Sequence, residues 1–227
     1  MLPELPGMEI AAAYRPAGIG LDVGGDFYDV FNTAEDEWYA VIGDVCGKGA
    51  EAAAVTALAR YTIRAAAVRR RSPAGILRWL NDAMLAQQVE SHRRFCTIAC
   101  LHVDLSRTPA RVTVACGGHP LPLVVRADGR TEEIGTPGTL IGLVDEVDLQ
   151  DRSASLRKGD AVVLYTDGLT EASAPDRILS PEDLAAIAGE GAGDTAAALV
   201  ERLLGAAVGS VDTVRDDVAV LALRSRD

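Results

Sequence analysis

Short apolar runs bounded by turn residues recur along the 227-residue chain, and their lengths separate strands from helices. Glu9 to Tyr14, Asp26 to Phe31 and Glu37 to Ile42 read as strands, the last two joined as a hairpin across Asn32-Thr-Ala-Glu-Asp36. A long run of alanine and small aliphatic residues, from about Ala50 to Arg70, reads as a helix, because alanine propagates helix well and lets a neighbouring layer approach closely. Ser72-Pro73 interrupts it and opens a second helix to about Glu90, with Ser72 as cap and Pro73 at the first helical position. Strands follow at Phe95 to Asp104, Ala110 to Cys116, Leu121 to Arg126, and near Ser153 and Ala161. Helices near Pro181 to Ala188 and Thr195 to Val208 precede a last strand, Val218 to Leu223. Strands in runs with helices in pairs predict an α+β fold with largely antiparallel sheets. No repeat or low-complexity linker divides the chain, so residues 1–227 read as one domain, with residues 1–8 as the end of a linker.

Four acidic stations punctuate these elements: Val23-Gly-Gly-Asp-Phe-Tyr-Asp29, Ile42-Gly-Asp-Val-Cys-Gly-Lys-Gly49, Tyr165-Thr-Asp-Gly168 and Arg215-Asp-Asp217. Three of them abut an apolar strand. A carboxylate where a strand runs out into a glycine turn has backbone room beside it and a rigid element behind it. Oxygen-only ligands select hard cations such as Mg²⁺ or Mn²⁺, which suit phosphoryl chemistry. A single Asp-Gly pair is also an ordinary turn former. Four stations, three at strand ends, favour one shared site.

Charge narrows the function. A net charge of -11 argues against a nucleic-acid surface, which needs a basic face. Arg69-Arg-Arg71 sits near a predicted helix end, complements its dipole there and reads as a solvated terminus. No apolar run is long enough to span a bilayer and the N-terminus lacks a signal-peptide pattern, so a cytoplasmic protein is expected. Cys96, Cys100 and His102 share a strand face, yet Cys96 and Cys100 lie roughly 13 Å apart at about 3.3 Å per residue, too far to share a zinc ion. The cysteines therefore read as buried core residues. Gly43 to Gly49 misses the P-loop spacing and has no Ser or Thr after Lys48, and no Gly-x-Ser-x-Gly elbow occurs.

Six motifs occur in order: the stations at Asp26 and Asp44, then Phe95-Cys-Thr97, Gly117-Gly-His-Pro120, Leu164-Tyr-Thr-Asp-Gly-Leu-Thr-Glu171 and Asp216-Asp-Val-Ala-Val220. Together they resemble the PPM-type metal-dependent serine/threonine phosphatases, in the bacterial branch typified by SpoIIE and RsbU. The resemblance runs from about Glu9 to Leu223; each motif alone is weak, and the six in order are specific. It implies an α-β-β-α sandwich of two antiparallel sheets flanked by helical pairs. It implies that Asp44 bridges two Mn²⁺ or Mg²⁺ ions and that the Val45 carbonyl binds one of them. Asp167 and Asp216 would bind the other, and Asp26 would hold the site directly or through water. On this analogy Asp26, Asp44, Asp167 and Asp216 form the catalytic set, and a water bridging the two ions attacks the phosphorus of phosphoserine or phosphothreonine in line.

Asp29, Asp217, Gly168 and His119 are secondary candidates. Adjacent aspartates on a strand point to opposite faces, so only one of Asp216 and Asp217 can be a ligand, and the family motif favours Asp216. Asp22 reads as surface. The chain departs from the eukaryotic relatives at Cys46, where they carry a histidine, and in lacking their phosphate-binding arginine, for which Arg15 is the nearest candidate. The resemblance further implies a phosphorylated anti-sigma-factor antagonist as substrate, and an upstream sensor domain or a homodimer as regulator. The helical pair after Asp44 is the candidate switch, with Ala53 and Ala57 as its packing positions. Two alternatives stay open: a weak or silent binding module of the same fold, or a small-molecule phosphoester hydrolase, since a dinuclear site does not encode what carries the phosphate.

Overall fold

The apolar runs become strands that share two sheets. The computed structural model describes residues 2–17, 24–69, 71–87, 94–175, 178–209 and 214–227. Asp22, Arg70 and Glu90, named above, lie outside them. In chain order the elements are β1 (Met8–Arg15), β2 (Asp26–Ala34), β3 (Glu37–Val45), α1 (Ala50–Ala67), α2 (Pro73–Gln87), β4 (Cys96–Asp104), β5 (Ala110–Gly117), β6 (Leu123–Val125), β7 (Thr131–Glu133), β8 (Arg152–Leu156), β9 (Ala161–Tyr165), α3 (Asp167–Glu171), α4 (Pro181–Glu190), α5 (Ala196–Val208) and β10 (Val218–Ser225). One sheet runs β1-β10-β9-β6-β7 and the other β2-β3-β4-β5-β8, and every pairing is antiparallel. The architecture is α+β, as the element order predicts.

Side-chain parity sorts the core into three layers, because successive strand residues point to opposite faces. Even positions of β3 (Trp38, Ala40, Ile42) and β9 (Val162, Leu164) meet odd positions of β4 (Ala99, Leu101, Val103) and β10 (Ala219, Leu221, Leu223) between the sheets. The opposite face of the β2–β3–β4 sheet packs against α1 and α2 through Tyr39, Val41, Cys96, Ile98, Cys100, Ile76, Leu77 and Leu80. The other sheet buries Val163, Tyr165, Val218 and Val220 against α3, α4 and α5. Each fully buried Leu or Ile contributes about 1.5–3 kcal/mol relative to exposure. The segment read as a linker end contributes Leu5 and Met8 to the inter-sheet layer.

Several boundaries differ from the sequence reading, each for a local reason. β3 continues through Gly43 and Asp44 to Val45, because β4 pairs with it over that whole length. The hairpin turn tightens to Glu35-Asp36, with a bulge between Asn32 and Ala34. The short hairpin strand β7 and the five-residue α3 carry too little periodicity to be read from sequence. Ser72 does cap α2, accepting a hydrogen bond from Gly75 N at 3.0 Å. The cysteines are free thiols, three of them buried. Arg71 is largely solvated and also reaches Glu37 at 3.2 Å. Ala57 faces solvent and Ala53 is half-buried, whereas Ala52 and Ala59 are fully enclosed, so a steric probe of the helix–sheet contact belongs at Ala59. Among the described residues no helix is long and apolar enough to cross a membrane.

Asp29 ties α1 to the sheet. Arg64 donates to both its carboxylate oxygens, at 2.7 and 2.8 Å, and Arg60 adds a contact at 3.3 Å. Burial alone would raise its pKa, but the two guanidinium groups outweigh that and hold the carboxyl below its ordinary range. A lowered carboxylate stabilises the fold above the unfolded pKa of about 3.9, and the contribution is lost as pH falls through the folded value. Asp29→Asn is therefore expected to cost roughly 1–3 kcal/mol at pH 7, less than a fully buried pair because both arginines remain half exposed. Urea denaturation of mutant and wild type should differ at pH 7, and the gap should narrow as pH is lowered below the ordinary carboxylate range; a gap that does not change with pH would contradict the assignment.

Candidate active site

The acidic stations converge at one end of the inter-sheet layer. Asp26 opens β2 directly opposite Asp44 near the end of β3. Both occupy even positions, the inter-sheet parity of their strands, and Thr97 stands opposite Asp44 on β4. Asp29, three residues from Asp26, has the opposite parity, so it faces α1 and not this cluster. From the second sheet, Thr166 follows β9 with the same inward parity, and Asp167 begins α3 immediately after it. Asp216 and Asp217 precede β10 in a bend and not on the strand itself.

Close backbone packing holds these segments together. A Cβ added at Gly168 would lie 1.8 Å from the Asp217 carbonyl oxygen, so only glycine lets the start of α3 lie against the 216–218 bend. Gly168→Ala is expected to destabilise by about 2–3 kcal/mol, as overpacking against rigid atoms does. Gly205 of α5 is the control, because nothing lies within 4 Å of its added Cβ. There alanine should stabilise by up to about 1 kcal/mol through helix propensity. Denaturation midpoints that move alike for the two variants would contradict this packing.

Thr166 is the main residue that sequence reasoning passed over. Its hydroxyl donates to Asp26 Oδ2 at 2.7 Å and accepts from Ala219 N at 3.0 Å. It thereby holds a carboxylate of one sheet from the edge of the other. Its place before Asp167 and its inward parity were the available signals. Asp216 is exposed and faces Lys48 at 3.9 Å. Asp217 is buried; it accepts from Ala17 N at 2.7 Å, and the Tyr14 hydroxyl stands against it. Arg15 ends β1 opposite Val218, at the same edge. Cys46 Sγ accepts from Phe95 N at 3.4 Å. His119 is buried beside Thr97, with Nδ1 and Oγ1 2.8 Å apart.

The electrostatics register the crowding. Burial, reinforced by Asp44, Asp217 and Asp167 and opposed by the Thr166 hydrogen bond, pushes the Asp26 carboxyl up to about 8. Burial together with Asp167, Asp216 and Asp217 pushes Asp44 up to about 6, with Lys48 opposing. Buried carboxylates raised further by neighbouring carboxylates call for a cation. The residues present fit one. A Cβ built on Gly25 would lie 2.3 Å from the Val45 carbonyl oxygen and 2.5 Å from Asp44 Oδ1. Two oxygen donors, a backbone carbonyl and a carboxylate, thus face the same glycine, which has no side chain to cover them, and such oxygens are the ligands hard divalent cations take. Among the described residues no three His, Cys, Asp or Glu side chains are already grouped as a metal cage. The exposed Asp216 side chain faces Lys48 and accepts from Asp217 N at 2.9 Å.

Two face-to-face antiparallel sheets, helices outside, and aspartates from both sheets meeting at their shared edge are the arrangement expected of a PPM-type phosphatase domain. The family described as Stage II sporulation protein E (SpoIIE) matches residues 34–226, and the chain belongs to that family. The phosphoserine phosphatase RsbU of Bacillus subtilis is 25% identical over 99% of this chain and 65% of its own. A Mycobacterium tuberculosis structure of RsbU and RsbW domains is 31% identical, covers 99% of this chain and 61% of that one, and superposes with a TM-score of 0.79. RsbX, solved in complex with magnesium, shares the fold at 13% identity and a TM-score of 0.71, covering 99% of this chain and 98% of that one. The chain spans 31% to 65% of the length of the curated relatives it matches.

Proposed function

We propose that this chain hydrolyses phosphoserine or phosphothreonine on a protein, the substrate being a phosphorylated anti-sigma-factor antagonist. The observation that carries this reading is the meeting of Asp26, Asp44, Asp167 and Asp216 at one sheet edge, with the Val45 carbonyl converging on Asp44. Asp44 and the Val45 carbonyl would hold one Mn²⁺ or Mg²⁺, and Asp44, Asp167 and Asp216 a second. When bound, the pair would neutralise charge on the phosphoryl oxygens and lower the pKa of a water between them. Asp26 would support the set from the position that Thr166 fixes. Asp167 and Asp216 are both exposed, which leaves the site open to a phosphorylated side chain on a folded partner. Arg15 and Lys48 are among the cations at that edge available to a phosphate. Gly168 serves by packing, and Asp217 by fastening the 216–218 bend to the segment at Ala17.

The test compares a phosphoserine-bearing antagonist protein with p-nitrophenyl phosphate, each with Mn²⁺ and with Mg²⁺. The expected kcat/KM favours the phosphoprotein by at least about a hundredfold, roughly 2.7 kcal/mol in transition-state stabilisation. Equal values would move the reading to a small-phosphoester hydrolase. Metal binding by calorimetry without turnover on either substrate would move it to a silent module of the same fold.

A further inference from the structure

The aspartate cluster leaves the buried histidine beside it, His119, unassigned. His119 is 5% exposed and bridges the two sheets. Its Nδ1 lies 2.8 Å from Thr97 Oγ1 on β4. Its Nε2 is buried and has no partner in ordinary hydrogen-bond geometry, and the Tyr165 backbone at the end of β9 lies beside the ring. Burial pushes the imidazole down to about 3, so the ring is neutral at physiological pH and carries one N–H. The Tyr165 backbone favours a proton on the ring, and with Nδ1 taken up by Thr97, Nε2 is the nitrogen left to carry it.

Thr97 connects this ring to the cluster. It pairs with Asp44 in the β3–β4 register, and its odd position, shared with Ala99 and Leu101, gives it the inter-sheet face. Directly opposed residues hold their Cβ atoms about 4.5–5.5 Å apart, so the hydroxyl and the Asp44 carboxylate are neighbours. Thr97 is half-buried, with the histidine behind it and the open edge in front. A threonine hydroxyl free to rotate would donate its proton to the nearest carboxylate, occupying an oxygen that a cation needs.

We propose that His119 is a positioning residue: carrying its proton on Nε2, it accepts the Thr97 hydroxyl proton at Nδ1. Thr97 Oγ1 then presents only lone pairs toward Asp44. Asp44 keeps its oxygens for cations, and Thr97 becomes an acceptor for a hydrogen of a water held beside Asp44. The role of that water rests on the phosphatase reading; the tautomer does not.

Two measurements test this independently. Two-bond ¹H–¹⁵N correlation spectra of the metal-free protein should show His119 as the neutral Nε2–H tautomer throughout pH 5 to 8. An Nδ1–H tautomer, or protonation within that range, overturns the proposal. In turnover assays, Thr97→Val and His119→Leu should each lower kcat roughly tenfold to a hundredfold, the usual cost of losing a partner behind a metal ligand, with KM unchanged. The double variant should be no slower than the slower single one. Thr97→Ser, and His119→Asn whose Oδ1 replaces Nδ1 as acceptor, should recover most of the loss. A wild-type kcat in Thr97→Val, or no recovery by either conservative variant, overturns the proposal. Should His119→Leu fail to fold, the near-isosteric Thr97→Val and the spectra still decide. Absence of turnover in the wild type with either metal would instead refute the phosphatase reading and leave the tautomer measurement standing.

Discussion

Asp44→Asn is expected to reduce kcat by about a thousandfold, near 4 kcal/mol in barrier, while the protein folds normally. The position is unusual in three ways. Asp44 lies directly across from Asp26, it shares a point of convergence with the Val45 carbonyl, and its charge is opposed by Asp167 and Asp216 from the other sheet. As the carboxylate proposed to touch both cations, it cannot be replaced by an amide that ligates weakly and carries no charge. The same crowding predicts the stability outcome. Without metal, removing a carboxylate that burial and three neighbours already push up to about 6 relieves repulsion, so the melting temperature should hold or rise. With Mn²⁺ added, the wild type should gain stability and the variant much less. Turnover within tenfold of wild type, or equal metal stabilisation of both proteins, would count against the role.

Stripping divalent cations with EDTA is expected to abolish turnover, and excess Mn²⁺ or Mg²⁺ to restore it. The ground is electrostatic before it is catalytic: burial and the carboxylates around them raise the cost of ionising Asp26 and Asp44, and the nearby cation of Lys48 only partly offsets this at Asp44. A ligand that binds only the folded protein adds about 2.7 kcal/mol at a hundredfold excess over its Kd. For a chain of this length that is roughly 5–10 °C in melting temperature. Thermal melts with and without metal read this directly, apart from any substrate. Undiminished turnover in a rigorously metal-free sample, or an unchanged melt at saturating metal, would refute metal dependence at this site.

Much of this was legible in the sequence because it is local chemistry. Strand ends, glycine turns and the Ser72-Pro73 break are set by residues within a few positions of one another, so the α+β class, the order of elements and the four acidic stations could be read directly. Period-2 alternation also carried more than the boundaries suggest: Asp26 and Asp29 differ in parity, and the structure sends one to the cluster and the other to Arg60 and Arg64. What the sequence by itself determined, then, is which residue types stand at which strand ends and on which alternating face. Tertiary structure alone decided which strand ends meet. Thr166 finds Asp26 across 140 positions and Asp217 finds Ala17 across 200, because β1 pairs with β10 and the two sheets stack. His119 reaches Thr97 from a loop that the sequence marks only as a turn. Apolar strands of similar composition can pair in many orders, and the order is chosen by the simultaneous burial of both sheet faces, a property of the whole chain and of no single segment.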